Sequence, residues 1–130
     1  MTTDLWMLVW SAVLCLALPL PYLVARATTP GGAAWGLGNR ERDFTFAAWA
    51  GRAERAHRNL VENLAPFVIL VLVAQIAGKA NATTALGATL FFWGRVAHAL
   101  VYLAGIPYLR TLVFAISIAG ELMILFQLFH

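Results

Sequence analysis

The sequence predicts an all-α fold, an integral membrane bundle of four spanning helices. Three observations carry that prediction. Of 130 residues, 62 % are hydrophobic and 12 % are charged, half the share of about 25 % found in a soluble domain. Four apolar stretches approach the length of about 20 residues that a bilayer core requires, and together they use most of the chain. The remaining charges gather at the ends of those stretches or in stripes within them. A chain of this length makes one domain, residues 1–130. Its one cysteine, Cys15, excludes an internal disulfide and a Cys-rich metal site; in an apolar run it is expected to be a buried, inert thiol.

The first span, Leu5–Ala25, carries no charge and would be about 32 Å long as a helix. Ala25-Arg26-Ala27 resembles a signal cleavage site. Met1–Asp4 holds no basic residue, however, and the run exceeds a signal's apolar core, so a retained helix is expected. Pro19 and Pro21 predict a kink or early unwinding in its last third. Thr28–Thr45 reads as a loop, from Pro30-Gly31-Gly32 through Gly36-Leu37-Gly38-Asn39 to the charge run Arg40-Glu41-Arg42-Asp43.

The second span raises a length problem. Between Glu62 and Lys79 only sixteen residues are free of charge, about 24 Å of helix, which is short for a bilayer. The helix must continue backwards into Arg52–Asn63, "RAERAHRNLVEN", so that this polar segment is part of the span. Pro66 removes the bond to the Glu62 carbonyl and is expected to bend the helix. Gly78-Lys79-Ala80-Asn81 is a tight turn. A third span follows over Thr83–Ala104, then a break at Gly105-Ile106-Pro107, then a fourth span from Tyr108 to the end. Arg26, Arg40, Arg42, Arg52 and Arg110 share the side that holds the first and third connections. The positive-inside bias places that side in the cytoplasm and both termini away from it. Trp6, Trp10, Trp35 and Trp49 fall near the expected interfaces.

An ionisable residue inside a span costs about 2.5–3.5 kcal/mol on insertion scales and normally faces protein or a wet cavity. Three spans carry such residues in register. Arg52, Arg55, Asn59 and Glu62 fall within an arc of about 80° on the second, widened by Arg58. Arg95, His98 and Tyr102 share one stripe on the third, and Arg110, Phe114, Ser117 and Glu121 one on the fourth. The excess of arginine points to an anionic ligand, since guanidinium forks bind carboxylates and stabilise thiolates. Structural roles stay open beside this: a buried pair of Arg55 with Glu62, or of Arg95 with a carboxylate of the second span; snorkelling by Arg52; packing by His98 and Tyr102; a helix tie through Glu121. No His-x-x-x-His or Glu-x-x-His pair suggests a metal, and no Gly-rich phosphate loop is present. Basic residues confined to spans and one interface argue against nucleic acid as a partner.

"RAERAHRNLVEN" and "GRVAHALVYLAGIPYLRT", Gly94 to Thr111, resemble the signatures of the MAPEG superfamily, the membrane-associated proteins of eicosanoid and glutathione metabolism. The chain looks like a bacterial member similar to microsomal glutathione transferases. The resemblance extends to length, four spans, a long first connection and a proline after the second-span motif. It implies a homotrimer in a bacterial inner membrane, with glutathione bound between subunits near the cytoplasmic side. It implies glutathione as co-substrate, no metal, and a lipophilic small molecule or lipid as second substrate. By motif position, Arg58, Asn59, Glu62, Arg95, His98, Tyr102 and Thr111 would bind glutathione, Arg26 would add a basic contact, and Arg110 would stabilise the thiolate. Arg55 and Glu121 would be structural polar residues.

Two positions depart from the prostaglandin-forming branch: Thr111 stands in place of serine, and Phe114 in place of a tyrosine. The first keeps a hydroxyl and the second loses one, which puts a prostaglandin isomerase in doubt and leaves thiol activation by Arg110 intact. The expected function is a glutathione-dependent transferase or peroxidase of lipophilic electrophiles or lipid hydroperoxides, a detoxifying role. The alternatives are a non-catalytic lipid or glutathione binder, and a small transporter using Glu62, Arg95 and Glu121 as a proton relay.

Overall fold

The computed structural model describes residues 1–130 and contains helices only. In chain order these are α1 (Thr3–Ala17), α2 (Pro19–Thr28), α3 (Gly32–Leu37), α4 (Ala48–Ile76), α5 (Ala82–Ala104) and α6 (Pro107–Phe129). Four helical segments are long and apolar enough to cross a bilayer: Thr3–Thr28, which joins α1 to α2, then α4, α5 and α6. The protein is an integral membrane protein with four candidate spans.

The first span breaks where its prolines require it. Pro19 is the first residue of α2, where a missing N–H costs nothing, and Leu18 closes α1 by donating to the Leu14 carbonyl at 3.0 Å. The helix then resumes to Thr28, past the expected end at Ala25. The connection expected to be a loop over Thr28–Thr45 contains α3. Gly31, at φ +77°, turns the chain into it. Trp35 anchors it by packing on Phe44 and Phe46 and donating its indole N–H to the Arg42 carbonyl. A six-residue helix rich in glycine has no periodic signal of its own; contacts from ten residues downstream hold it.

The 29 residues of α4 span about 44 Å at 1.5 Å per residue. The helix starts upstream of Arg52, as the length argument requires, and runs through Pro66 without interruption. Its buried face is Ala50, Ala53, Ala56, Leu60, Phe67, Val71 and Ala74, a repeat of three and four residues. Phe67 stacks on Phe91 of α5, ring centroids 3.8 Å apart, at the centre of the bundle.

Asn81 caps α5, its side chain accepting from the Thr83 and Thr84 amides at 2.8 and 3.2 Å while Thr84 reaches back to the Asn81 amide. At the other end Gly105 takes φ +77° and Pro107 opens α6, so the two helices return side by side. They pack backbone to backbone. A Cβ at Gly87 would lie 2.6 Å from the Gly120 carbonyl, and one at Gly94 would lie 2.6 Å from Ser117 Oγ. In lipid, where apolar burial drives little, small residues of this kind let helices approach closely.

Candidate functional site

The Gly105–Pro107 turn decides the site's position. It brings the first turn of α6 back against the last turns of α5, so that Arg110 faces residues one to three turns earlier in sequence space. The Arg110 guanidinium carbon lies 4.7 Å from the Tyr102 ring centroid, within cation–π range. One turn deeper, His98 meets Tyr102 edge to face at 5.4 Å and lies 6.2 Å from the Phe114 ring. Deeper still, Arg95 is 1 % exposed. Its Nη2 donates to Asn59 Oδ1 of α4, and its guanidinium carbon lies 5.7 Å from the Phe114 centroid. Thr111 donates to the Pro107 carbonyl at 3.4 Å.

A cleft of roughly 250 Å³ is lined by Asn59, His98, Tyr102, Arg110, Thr111 and Phe114. Five of the residues expected to bind or activate an anionic thiol therefore share one wall, contributed by three helices. A second cleft of roughly 170 Å³ continues from it past Tyr102 and Arg110 to Arg52 and Arg55. Arg52 Nε donates to the Leu103 carbonyl at 3.0 Å, capping the C-terminal end of α5 instead of reaching for head groups. Arg52 and Arg55 also line a third cleft, of roughly 500 Å³, with Tyr22, Arg26, Phe44 and Phe46. The second cleft thus shares Tyr102 and Arg110 with the first and Arg52 and Arg55 with the third, so arginines recur along this end of the bundle. Arg110 sits in the first turn of α6, where the helix dipole adds to its own charge in favouring an anion.

Other expected site residues lie elsewhere in the single chain. Arg26 is held by Glu54 of α4, Nη2 to Oε1 at 3.0 Å, and its guanidinium carbon lies 4.9 Å from the Tyr22 ring and 5.4 Å from that of Trp35. It lines the far cleft and does not meet Arg110. Arg58 and Glu62 are exposed on α4 and line none of the three clefts. A buried Arg55–Glu62 pair does not form. Both are exposed, and seven residues of helix separate them by about 10 Å along the axis. The ion pair within 4 Å is Arg26–Glu54. Arg95 takes an amide of α4 as partner, not a carboxylate. Glu121 is buried on α6, but its Oε1 meets no hydrogen-bond donor, and Arg95 Nε and Nη1 meet no acceptor.

One contact escaped the sequence reading. His57 Nδ1 lies 3.0 Å from the Tyr22 hydroxyl, and His57 Nε2 lies 3.9 Å from Cys15 Sγ. Cys15 is half-buried beside an imidazole rather than sealed in an apolar core. His57 stands inside the motif, but nothing in its spacing points to Tyr22, because that pairing depends on how α2 and α4 cross.

The Arg95–Asn59 bond carries a testable consequence. Asn59→Ala leaves a third guanidinium nitrogen of a buried arginine without an acceptor. A hydrogen bond to a charged group contributes about 1.5–3 kcal/mol, so the variant is expected to melt at lower temperature without any ligand present. Unchanged thermal unfolding in detergent would show that the bond does not hold α4 to α5.

The model of the MAPEG family matches residues 6–130, all but the first five residues of the chain. No curated protein matches it.

Proposed function

The chain belongs to the MAPEG family, and on that premise we propose that it is a membrane-embedded glutathione-dependent transferase or peroxidase whose thiolate is stabilised by Arg110. The observation that supports this reading most is the shared wall of Asn59, His98, Tyr102, Arg110 and Thr111. A free thiol of this kind has a pKa of about 8.5 and is mostly protonated at neutral pH. A guanidinium in contact, placed at a helix N-terminus, favours the anion. The thiolate then forms an S–C bond with a lipophilic electrophile, and the leaving group departs with the displaced electron pair. With a lipid hydroperoxide, two glutathiones give up two electrons and two protons; the products are a disulfide, an alcohol and water. A site at the basic end of a four-span bundle lets a water-soluble anion meet a partner delivered by the bilayer.

In this reading the chain works as a homotrimer in a bacterial inner membrane, the basic end facing the cytoplasm. Arg58 and Glu62, exposed on α4, and Arg26, at the far cleft, then complete the glutathione site across a subunit boundary. Phe114 offers no hydroxyl to the cleft, so prostaglandin isomerisation is not part of the proposal. The alternative is a non-catalytic binder of lipid or glutathione, which the same wall of donors also suits.

The test is turnover by the purified protein in lipid bilayers, with glutathione and either an activated aryl halide or a fatty-acid hydroperoxide. Glutathione-dependent loss of either substrate is expected. Saturable glutathione binding without turnover would favour the glutathione binder, and absence of binding would overturn the enzyme reading and leave the lipid binder.

A further inference from the structure

On the outer side of α2, away from the Arg110 cleft, a groove of roughly 350 Å³ runs between α2 and α3. Its walls are Leu23 and Ala27 of α2 and Ala33, Gly36 and Leu37 of α3, with Arg26 and Arg40 among its lining residues. The groove exists because α3 is built of small residues on this side. A Cβ at Gly36 would meet nothing closer than Arg26 Cδ at 4.0 Å, whereas a Cβ at Gly32 would run into the Arg26 carbonyl, so glycine there lets α3 come this near α2. Arg40 is held in place: its Nε and Nη2 both donate to the Gly36 carbonyl, at 3.1 and 3.0 Å. Nη1 remains for a ligand. The acidic neighbours do not enter the groove, and Glu41 accepts from Asn39 instead.

The apolar surface continues from the groove along α2 and α1. Leu16, Leu20, Leu23 and Val24 are spaced i, i+4, i+7 and i+8 and are 78 %, 59 %, 45 % and 57 % exposed. They form a stripe along α1 and α2 that leads up to the arginines. Leu37 is 92 % exposed at the groove's rim. An occupant that satisfies all of this has an anionic head, a short polar linker and long hydrocarbon tails.

We propose that the α2–α3 groove binds one anionic phospholipid of the surrounding leaflet, its phosphate on Arg40 and its acyl chains along the Leu16–Leu20–Leu23–Val24 stripe. A basic residue near a membrane surface contributes about 1 kcal/mol toward an anionic lipid, which is about fivefold in retention. The groove shares Arg26 with the far cleft, but Arg40, which would hold the phosphate, lines none of the three clefts, so the proposal stands whether or not the chain turns over glutathione.

Native mass spectrometry of the detergent-purified protein tests this, with phosphatidylglycerol and phosphatidylcholine of identical acyl chains as probes. Preferential retention of one phosphatidylglycerol per chain is expected. Two variants should remove the preference by different means. Arg40→Asn deletes the charge with a residue that tolerates the positive φ of 57° found there. Gly36→Leu fills the groove and leaves every charge in place. Arg42→Ala, outside the groove, should retain the lipid as the parent does. Equal retention of the two lipids, or a preference unchanged in both variants, would overturn the proposal. Displacement of the lipid by millimolar inorganic phosphate would do so as well, because it would assign the arginine to a free anion.

Discussion

Gly120→Val is expected to force α5 and α6 apart and to destabilise the bundle. A Cβ at Gly120 would press into the Gly87 carbonyl and lie 2.9 Å from the Phe91 amide nitrogen, with Leu90 Cβ at 3.2 Å. The two nearest obstacles are backbone atoms, so no side-chain rotation relieves them. Valine adds two further methyl groups. Overpacking of a well-packed interior costs about 1–3 kcal/mol and occasionally more, and a contact fixed by backbone on both sides belongs at the upper end. At a few degrees per kcal/mol for a chain of this size, the temperature of helix loss should fall by roughly 10 °C. The same displacement would carry Arg110 away from Tyr102, because both depend on the α5–α6 hairpin. Gly36→Ala, where a Cβ would meet only Arg26 Cδ at an ordinary contact distance of 4.0 Å, serves as the control and should melt as the parent does. Thermal unfolding followed by far-ultraviolet circular dichroism decides between these outcomes; an unchanged midpoint for Gly120→Val would mean that the two helices do not meet at Gly87.

The four spans and their breaks were legible because each rests on a local rule. Pro19 has no N–H to donate, and the helix breaks just before it. Gly105 permits a left-handed turn that Pro107 then fixes. The start of α4 followed from length alone, since sixteen uncharged residues do not cross a bilayer. The helix α3, mostly glycine and alanine, departs from the loop expected over Thr28–Thr45 because Trp35 is held against Phe44 and Phe46. Those contacts depend on the path of the connection, which periodicity does not encode.

The site divides the same way. Arg95, His98 and Tyr102 at i, i+3 and i+7 had to share a face of α5, and the Gly105–Pro107 turn had to return Arg110 toward it. Partner choice was another matter. Arg95 meets Asn59 rather than a carboxylate, Arg26 meets Glu54, and Glu121 lies buried away from any close ion pair. Helix rotation and relative depth set those outcomes, and both arise from packing, chiefly the close approach at Gly87 and Gly94 that draws α6 onto α5.

Arg110→Ala carries the second large effect. Among the clefts it lines, Arg110 is the cation that stands over Tyr102 with its charge added to the start of α6. If contact with a guanidinium lowers the thiol pKa by about 2 units from about 8.5, bound glutathione at neutral pH is about three-quarters thiolate. Without Arg110 that fraction falls toward the free thiol's value of about 3 %, Arg52 and Arg55 lining only the adjoining cleft. Neither Asn59 nor Thr111 carries charge. The fold should persist, because the guanidinium lies in the clefts and the helix contacts at Gly87, Gly94 and Phe67 do not involve it.

The central claim, that this end of the bundle binds glutathione as its thiolate, is tested most directly by titrating glutathione into the detergent-solubilised protein. Thiolate ultraviolet absorbance is followed in the parent and in Arg110→Ala. The account predicts a saturable thiolate signal in the parent and its loss in the variant, with both proteins melting alike. A parent that shows neither thiolate absorbance nor heat of binding, or a variant that keeps the full signal, would contradict it.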